Sequence, residues 1–67
     1  MEISARNQLP AVVKSIKLGT VMAEVVMSVG AYEIVAAITR SSVDRLGIRE
    51  GDKVTAMIKA TEVMVAK

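Results

Sequence analysis

Short hydroxyl and amide residues stand beside single cations at three places in this chain: Ser4-Ala5-Arg6-Asn7-Gln8, Thr39-Arg40-Ser41-Ser42 with Arg45, and Lys59-Ala60-Thr61. A tetrahedral dianion needs convergent N–H and O–H donors, one or two fixed positive charges to offset its desolvation, and no proton acceptor facing it. These clusters hold that inventory. Charge-assisted hydrogen bonds contribute on the order of 1.5–3 kcal/mol each, so a handful gives micromolar binding or better after the cost of association. On composition alone a plainer reading outweighs this one: Ser41 caps a helix, and Arg6 and Lys59 are solvated surface charges.

Other chemistries find fewer residues to work with. The chain has no His and no Cys, so the usual nucleophile and base pairs are missing and an enzyme is not expected. The same gap removes the ligands of a transition-metal cation, and the carboxylates lack the spacing of a calcium loop. Single-stranded nucleic acid binding draws on several stacking aromatics, whereas Tyr32 is the sole aromatic residue here. The net charge of +2 is mild and the basic residues are scattered, which suits a small anion better than a nucleic acid.

The elements that must position these clusters read as strands. Val21, Ala23, Val25, Met27 and Val29 alternate with Met22, Glu24, Val26 and Ser28, the pattern of a half-buried strand. After Gly30-Ala31, a run from Tyr32 to Thr39 is apolar on nearly both faces, which predicts cover from a neighbouring subunit on the second. Ser41 to Leu46 predicts one short helix, with Ser41 as cap, Asp44 in the capping-box position and Gly47 ending the turn. Val54, Ala56 and Ile58 face inward on a further strand after Arg49-Glu50-Gly51-Asp52, and Val63 and Val65 continue a last one. Met1 to Ala5 and Ala11 to Leu18 make two more, parted by Asn7 to Pro10 and closed by the turn at Gly19. The pattern predicts an all-β fold, a small OB-like barrel with one helical turn.

A chain of 67 residues that is 52% apolar has only a marginal core alone, and without disulfide or metal the remaining support is oligomerisation. No apolar run approaches the roughly 18 residues of a membrane span, since Glu24 and Glu33 interrupt the most hydrophobic stretch. No basic segment followed by an apolar one opens the chain, so the expectation is a cytoplasmic protein without a membrane partner.

Several segments together resemble the molbindin or Mop family. They are Ser4-Ala5-Arg6-Asn7-Gln8-Leu9, Ala37-Ile38-Thr39, Leu46-Gly47-Ile48 with Gly51 four residues after Gly47, and Ile58-Lys59-Ala60-Thr61. The resemblance covers essentially the whole chain, which reads as a single Mop unit over residues 1–67. It implies a homo-hexamer built as a trimer of dimers, holding molybdate or tungstate in pockets shared between subunits, with no organic cofactor and no catalysis. It also implies the residues involved: Ser4 and Arg6, then Thr39, Ser42 and Arg45, then Lys59, with backbone N–H groups from Ala5 and Ala60. The molybdenum would be held as an oxyanion rather than as a bare cation, for storage or buffering. Arg45 carries that role in relatives with fused regulatory or tandem units; its other reading is a pair with Asp44 or Glu50. Family members often carry Lys-Gly where Pro10-Ala11 stands here, and many have a hydroxyl residue in place of Ala60.

A second resemblance competes with the first. Leu46-Gly47-Ile48-Arg49-Glu50-Gly51-Asp52-Lys53-Val54 looks like the L-G-I-x-x-G-D-x-V segment of swapped-hairpin transition-state regulators, which bind DNA as dimers. Those proteins place the segment close after their first strand, whereas here it lies late and follows apolar strands.

Overall fold

The structure, a computed structural model, describes residues 6–67. The strand expected over Met1 to Ala5 lies outside them, and so do Ser4 and Ala5 of the opening motif. Four strands form one antiparallel sheet: β1 (Asn7–Leu18), β2 (Met22–Val29), β3 (Tyr32–Thr39) and β4 (Lys53–Ile58), in the order β3-β2-β1-β4. A short helix α1 (Arg40–Leu46) joins β3 to β4, and a 3-10 turn, Ala60–Glu62, follows β4.

β1 organises the sheet because it is shared. Its second half pairs with β2, from Val12 opposite Ser28 to Leu18 opposite Ala23. Its first half pairs with β4, from Asn7 opposite Ile58 to Val12 opposite Lys53. The expected break at Asn7 to Pro10 is therefore a continuous strand. Pro10 is tolerated there because this half has β4 on one side and no β2 pairing on the other, the edge situation in which a missing N–H costs little. A bulge between Val13 and Ser15 leaves Lys14 out of register, and its ammonium reaches past β2 to pair with Glu33 on β3. Such a bulge also bends its strand.

Alternation decides what is buried. Ala23, Val25 and Met27 are buried on β2, as the period of two requires, and Val13 and Ala56 meet them from β1 and β4. With Ala11 and Val43 these make up the buried core among the described residues, and three of its seven members are alanine. Val13 alone is fully buried among the larger side chains. A core of this volume is small even for a short chain. The strand expected at Val63 and Val65 is absent: both are exposed in extended chain beyond the 3-10 turn.

The helix ends follow local chemistry, with one correction to the sequence reading. Thr39, not Ser41, is the N-cap: it keeps an extended backbone (φ −70°, ψ 148°) and its side chain accepts a hydrogen bond from the Ser42 N–H. Pairing of Thr39 with Met22 holds it in the sheet, so the helix can only begin at the next residue. Asp44 is consequently too far along for a capping box. Gly47 stops the helix as expected, in the left-handed region at φ 63°, which disfavours any residue with a Cβ. Replacing Thr39 with Ala should cost about 0.5–2 kcal/mol through the lost cap, and Gly47→Ala should cost about 1 kcal/mol or more through strain. Urea unfolding at fixed protein concentration reads both, and Thr39→Ser should leave the midpoint nearly unchanged.

Candidate functional site

The residues singled out for oxyanion binding fall into two groups. The first is built where β3 runs into α1. Thr39 Oγ1 lies 2.7 Å from Ser42 Oγ and 3.3 Å from Ser41 Oγ, and the Ser42 N–H donates to Thr39 Oγ1 at 3.1 Å. Arg45, one turn further, donates from Nη2 to Ser42 Oγ at 3.3 Å. It does not pair with Asp44 or Glu50; among the described residues the one ion pair is Lys14 with Glu33. The helical spacing of three residues places Ser42 and Arg45 on the same face, so the guanidinium and two hydroxyls converge as expected. The first turn of α1 carries no acidic residue, which leaves the positive end of the helix uncompensated there.

Next to this group a shallow depression is lined by Thr20, Val21, Thr39, Arg40, Ser41 and Asp44. Arg40 belongs to this side, where its guanidinium donates to the Gly19 carbonyl at 3.2 Å. The carboxylate of Asp44 is an acceptor and works against a dianion in that depression. Ser41, which the sequence placed in this donor cluster and read as the helix cap, joins it through Thr39 Oγ1 instead. The readable signal was the T-x-x-S spacing of Thr39 and Ser42, once the strand is carried through to Thr39.

The second group sits at the far end of the sheet. Arg6 precedes and Lys59 follows the last β1–β4 pair, Asn7 with Ile58, each by one residue, and both are exposed. Lys59 also precedes the 3-10 turn and makes no side-chain hydrogen bond to it. Ala60 opens that turn, so its N–H is of the kind that a helical start leaves without an internal acceptor. Ser4 and Ala5 would extend this group but lie outside the described residues.

Topology separates the two groups. Thr39 pairs with Met22 beside the Leu18 end of β1, whereas Arg6 and Lys59 flank its Asn7 end. The 12 residues of β1 run between the two ends. The two groups also lie on opposite edges, β3 and β4. Among the described residues, one copy thus holds two separate groups of donors rather than a single one. Among the described residues there is no cluster of three or more His, Cys, Asp or Glu that could hold a metal ion, and no helix is long and apolar enough to cross a membrane.

Comparison with known proteins gives a consistent result. The family described as TOBE domain matches residues 3–65. Molybdenum-pterin-binding protein 1 of Clostridium pasteurianum is 47% identical over 66 residues, covering 97% of both chains. The solved molybdate binding protein of Sporomusa ovata is 57% identical, with a TM-score of 0.95 and complete coverage of both chains. MopII of Clostridium pasteurianum is 45% identical, with a TM-score of 0.91 over 98% of this chain and all of its own. The Leu46–Val54 segment lies inside the TOBE match and links α1 to β4, so it gives the swapped-hairpin regulators no support. By sequence along its whole length and by fold, the chain belongs to the TOBE-domain family, together with the molybdenum-pterin-binding proteins.

Proposed function

We propose that this chain is a molybdate-binding protein that holds the oxyanion between copies of itself and performs no catalysis. The observation that carries the reading is the pair of donor groups at opposite ends of β1: hydroxyls and a guanidinium at one end, two exposed cations and a helical-turn N–H at the other. The first half is richer in hydroxyl donors and the second in charge. A tetrahedral dianion needs both the charge to offset its desolvation and enough donors to replace its water, and a second copy can bring its opposite end to complete the set. Arg6, Lys59, Ala60, Ser4 and Ala5 from one chain and Thr39, Ser42 and Arg45 from another would then share each ion. The relatives' names support the ligand class, and tungstate, equal in charge and shape, fits the same donors.

Assembly into a homo-hexamer, a trimer of dimers, is part of the proposal. It is supported by the shortage of core: Val35, Met22, Leu46, Val21 and Leu18 remain exposed, more large apolar surface than a chain this size leaves in water without a partner. β3 carries apolar residues on both faces, with Val35 and Ala37 outward, as a strand covered on two sides would. A cytoplasmic store or buffer of molybdate, as one unit over residues 1–67 with no organic cofactor, follows from this reading, and neither nucleic acid nor membrane has a role in it.

Isothermal titration with molybdate, with sulfate and phosphate as controls and oligomer mass recorded alongside, tests the proposal. Selective heat with molybdate on an assembled protein is expected; no heat with any oxyanion in an assembled, folded protein refutes it. Arg6→Ala and Lys59→Ala should each weaken molybdate binding by one or more kcal/mol, about fivefold or greater, without loss of fold, since both side chains are exposed. Arg45→Ala should weaken it to a similar degree from the other half-site.

A further inference from the structure

Arg40 stands between two members of the hydroxyl cluster, Thr39 and Ser41, and is fastened twice to the turn between β1 and β2. Its backbone N–H donates to the Val21 carbonyl at 2.8 Å. Its guanidinium reaches the Gly19 carbonyl, on the other side of Thr20, at 3.2 Å. The turn itself is tight: the Gly19 N–H donates to the Met22 carbonyl at 2.8 Å, and a Cβ on Gly19 would lie 2.7 Å from that same oxygen, closer than side-chain carbons approach. Met22 in turn pairs with Thr39. The start of α1 and the turn thus hold each other through Arg40, with 21 positions of chain between the guanidinium and its acceptor.

This clasp bears on which anion fits. The hydroxyls it backs are set at defined separations, Thr39 Oγ1 lying 2.7 Å from Ser42 Oγ and 3.3 Å from Ser41 Oγ. Sulfate and molybdate are both tetrahedral dianions, so charge does not separate them, but sulfate is the smaller. Donors that cannot move inward leave the smaller ion with long, weak hydrogen bonds, whereas donors free to close would serve both ions nearly alike. On the molybdate reading proposed above, we infer that Arg40 is a positioning residue: by fastening the start of α1 to the β1–β2 turn, it keeps the first donor group open to the size of molybdate and so discriminates against sulfate. The guanidinium is bonded to a main-chain carbonyl and not to the hydroxyl cluster, so it acts on the anion through the backbone that carries Thr39 and Ser41.

Competition titration reads the discrimination. The dissociation constant for molybdate is measured directly and that for sulfate by displacement of bound molybdate, in the wild-type protein, Arg40→Met and Arg40→Lys, with urea unfolding alongside. Arg40→Met keeps most of the stem and removes the donor, and it should lower the ratio of the sulfate constant to the molybdate constant about fivefold or more. Arg40→Lys can still donate to the Gly19 carbonyl and should keep the ratio near that of the wild type. Gly19→Ala, which displaces the turn from its other side with Arg40 intact, should lower the ratio as Arg40→Met does, and it decides in place of Arg40→Met if that chain does not fold. A residue that only stabilises the fold, or that acts by its charge, shifts both constants by the same factor. A selective wild type whose ratio Arg40→Met preserves therefore overturns the inference alone, whereas a wild type that binds neither anion, or both alike, refutes the selective molybdate reading and the inference with it.

Discussion

Backbone left unpaired among the described residues at the two edges of a four-stranded sheet is the constraint on which the rest of this structure depends. The N–H and C=O groups of β3 and β4 must find partners or water, and an apolar groove between them cannot be left to water without cost. Within the described residues the chain offers no strand to fill that gap. The small core, three of whose seven residues are alanine, leaves little stability to spare. In the proposed assembly, association would be part of folding, and the exposed residues of β3 would serve as contact surface.

Where the donors lie follows from the same sheet. β1 is long because it serves two partners in turn, β4 and then β2, and its length sets the two donor groups apart. Keeping Arg6 and Lys59 away from Thr39, Ser42 and Arg45 within one copy has an energetic logic. Three cations gathered in one chain without their anion would repel one another, whereas a dianion placed between copies offsets the charge of both sides. An ion bound in this way also ties the copies together, so ligand affinity and assembly are linked by mass action. The hydroxyl cluster of Thr39 and Ser42 is held by the helix cap itself, so its geometry is set by the fold.

Much of the fold was legible in the sequence because period-two alternation is a strong signal. β2, β3 and β4 fall where Ala23-Val25-Met27, Ile34-Ala36-Ile38 and Val54-Ala56-Ile58 predicted them, and the left-handed Gly47 ends the helix. The misses share a cause, which is that pairing overrides local signals. Pro10 looked like a break, but an edge position on β1 absorbs it. Ser41 looked like the cap, but the ladder with Met22 extends β3 to Thr39. Val63 and Val65 looked like a strand, and their alternation is real, yet a strand exists only where a neighbour pairs with it. Of the candidate site, the donor types came from donor chemistry and from the family resemblance, and the structure brings Thr39, Ser42 and Arg45 together. The separation of the donor groups to the two ends of β1 was not readable, because it depends on the register of three strand pairs that no local pattern encodes.

The most direct test of a shared oxyanion site is complementation between two defective chains. One variant combines Arg6→Ala with Lys59→Ala, the other Thr39→Val with Arg45→Ala, and each is titrated with molybdate alone and after co-refolding in equal amounts. If each ion is held by one half-site from each of two copies, neither variant binds tightly alone. The mixture then regains about a quarter of the tight sites, the chance that two intact halves meet when subunits assort at random. A mixture that regains none, or a single variant that keeps full affinity, would contradict a site shared between copies.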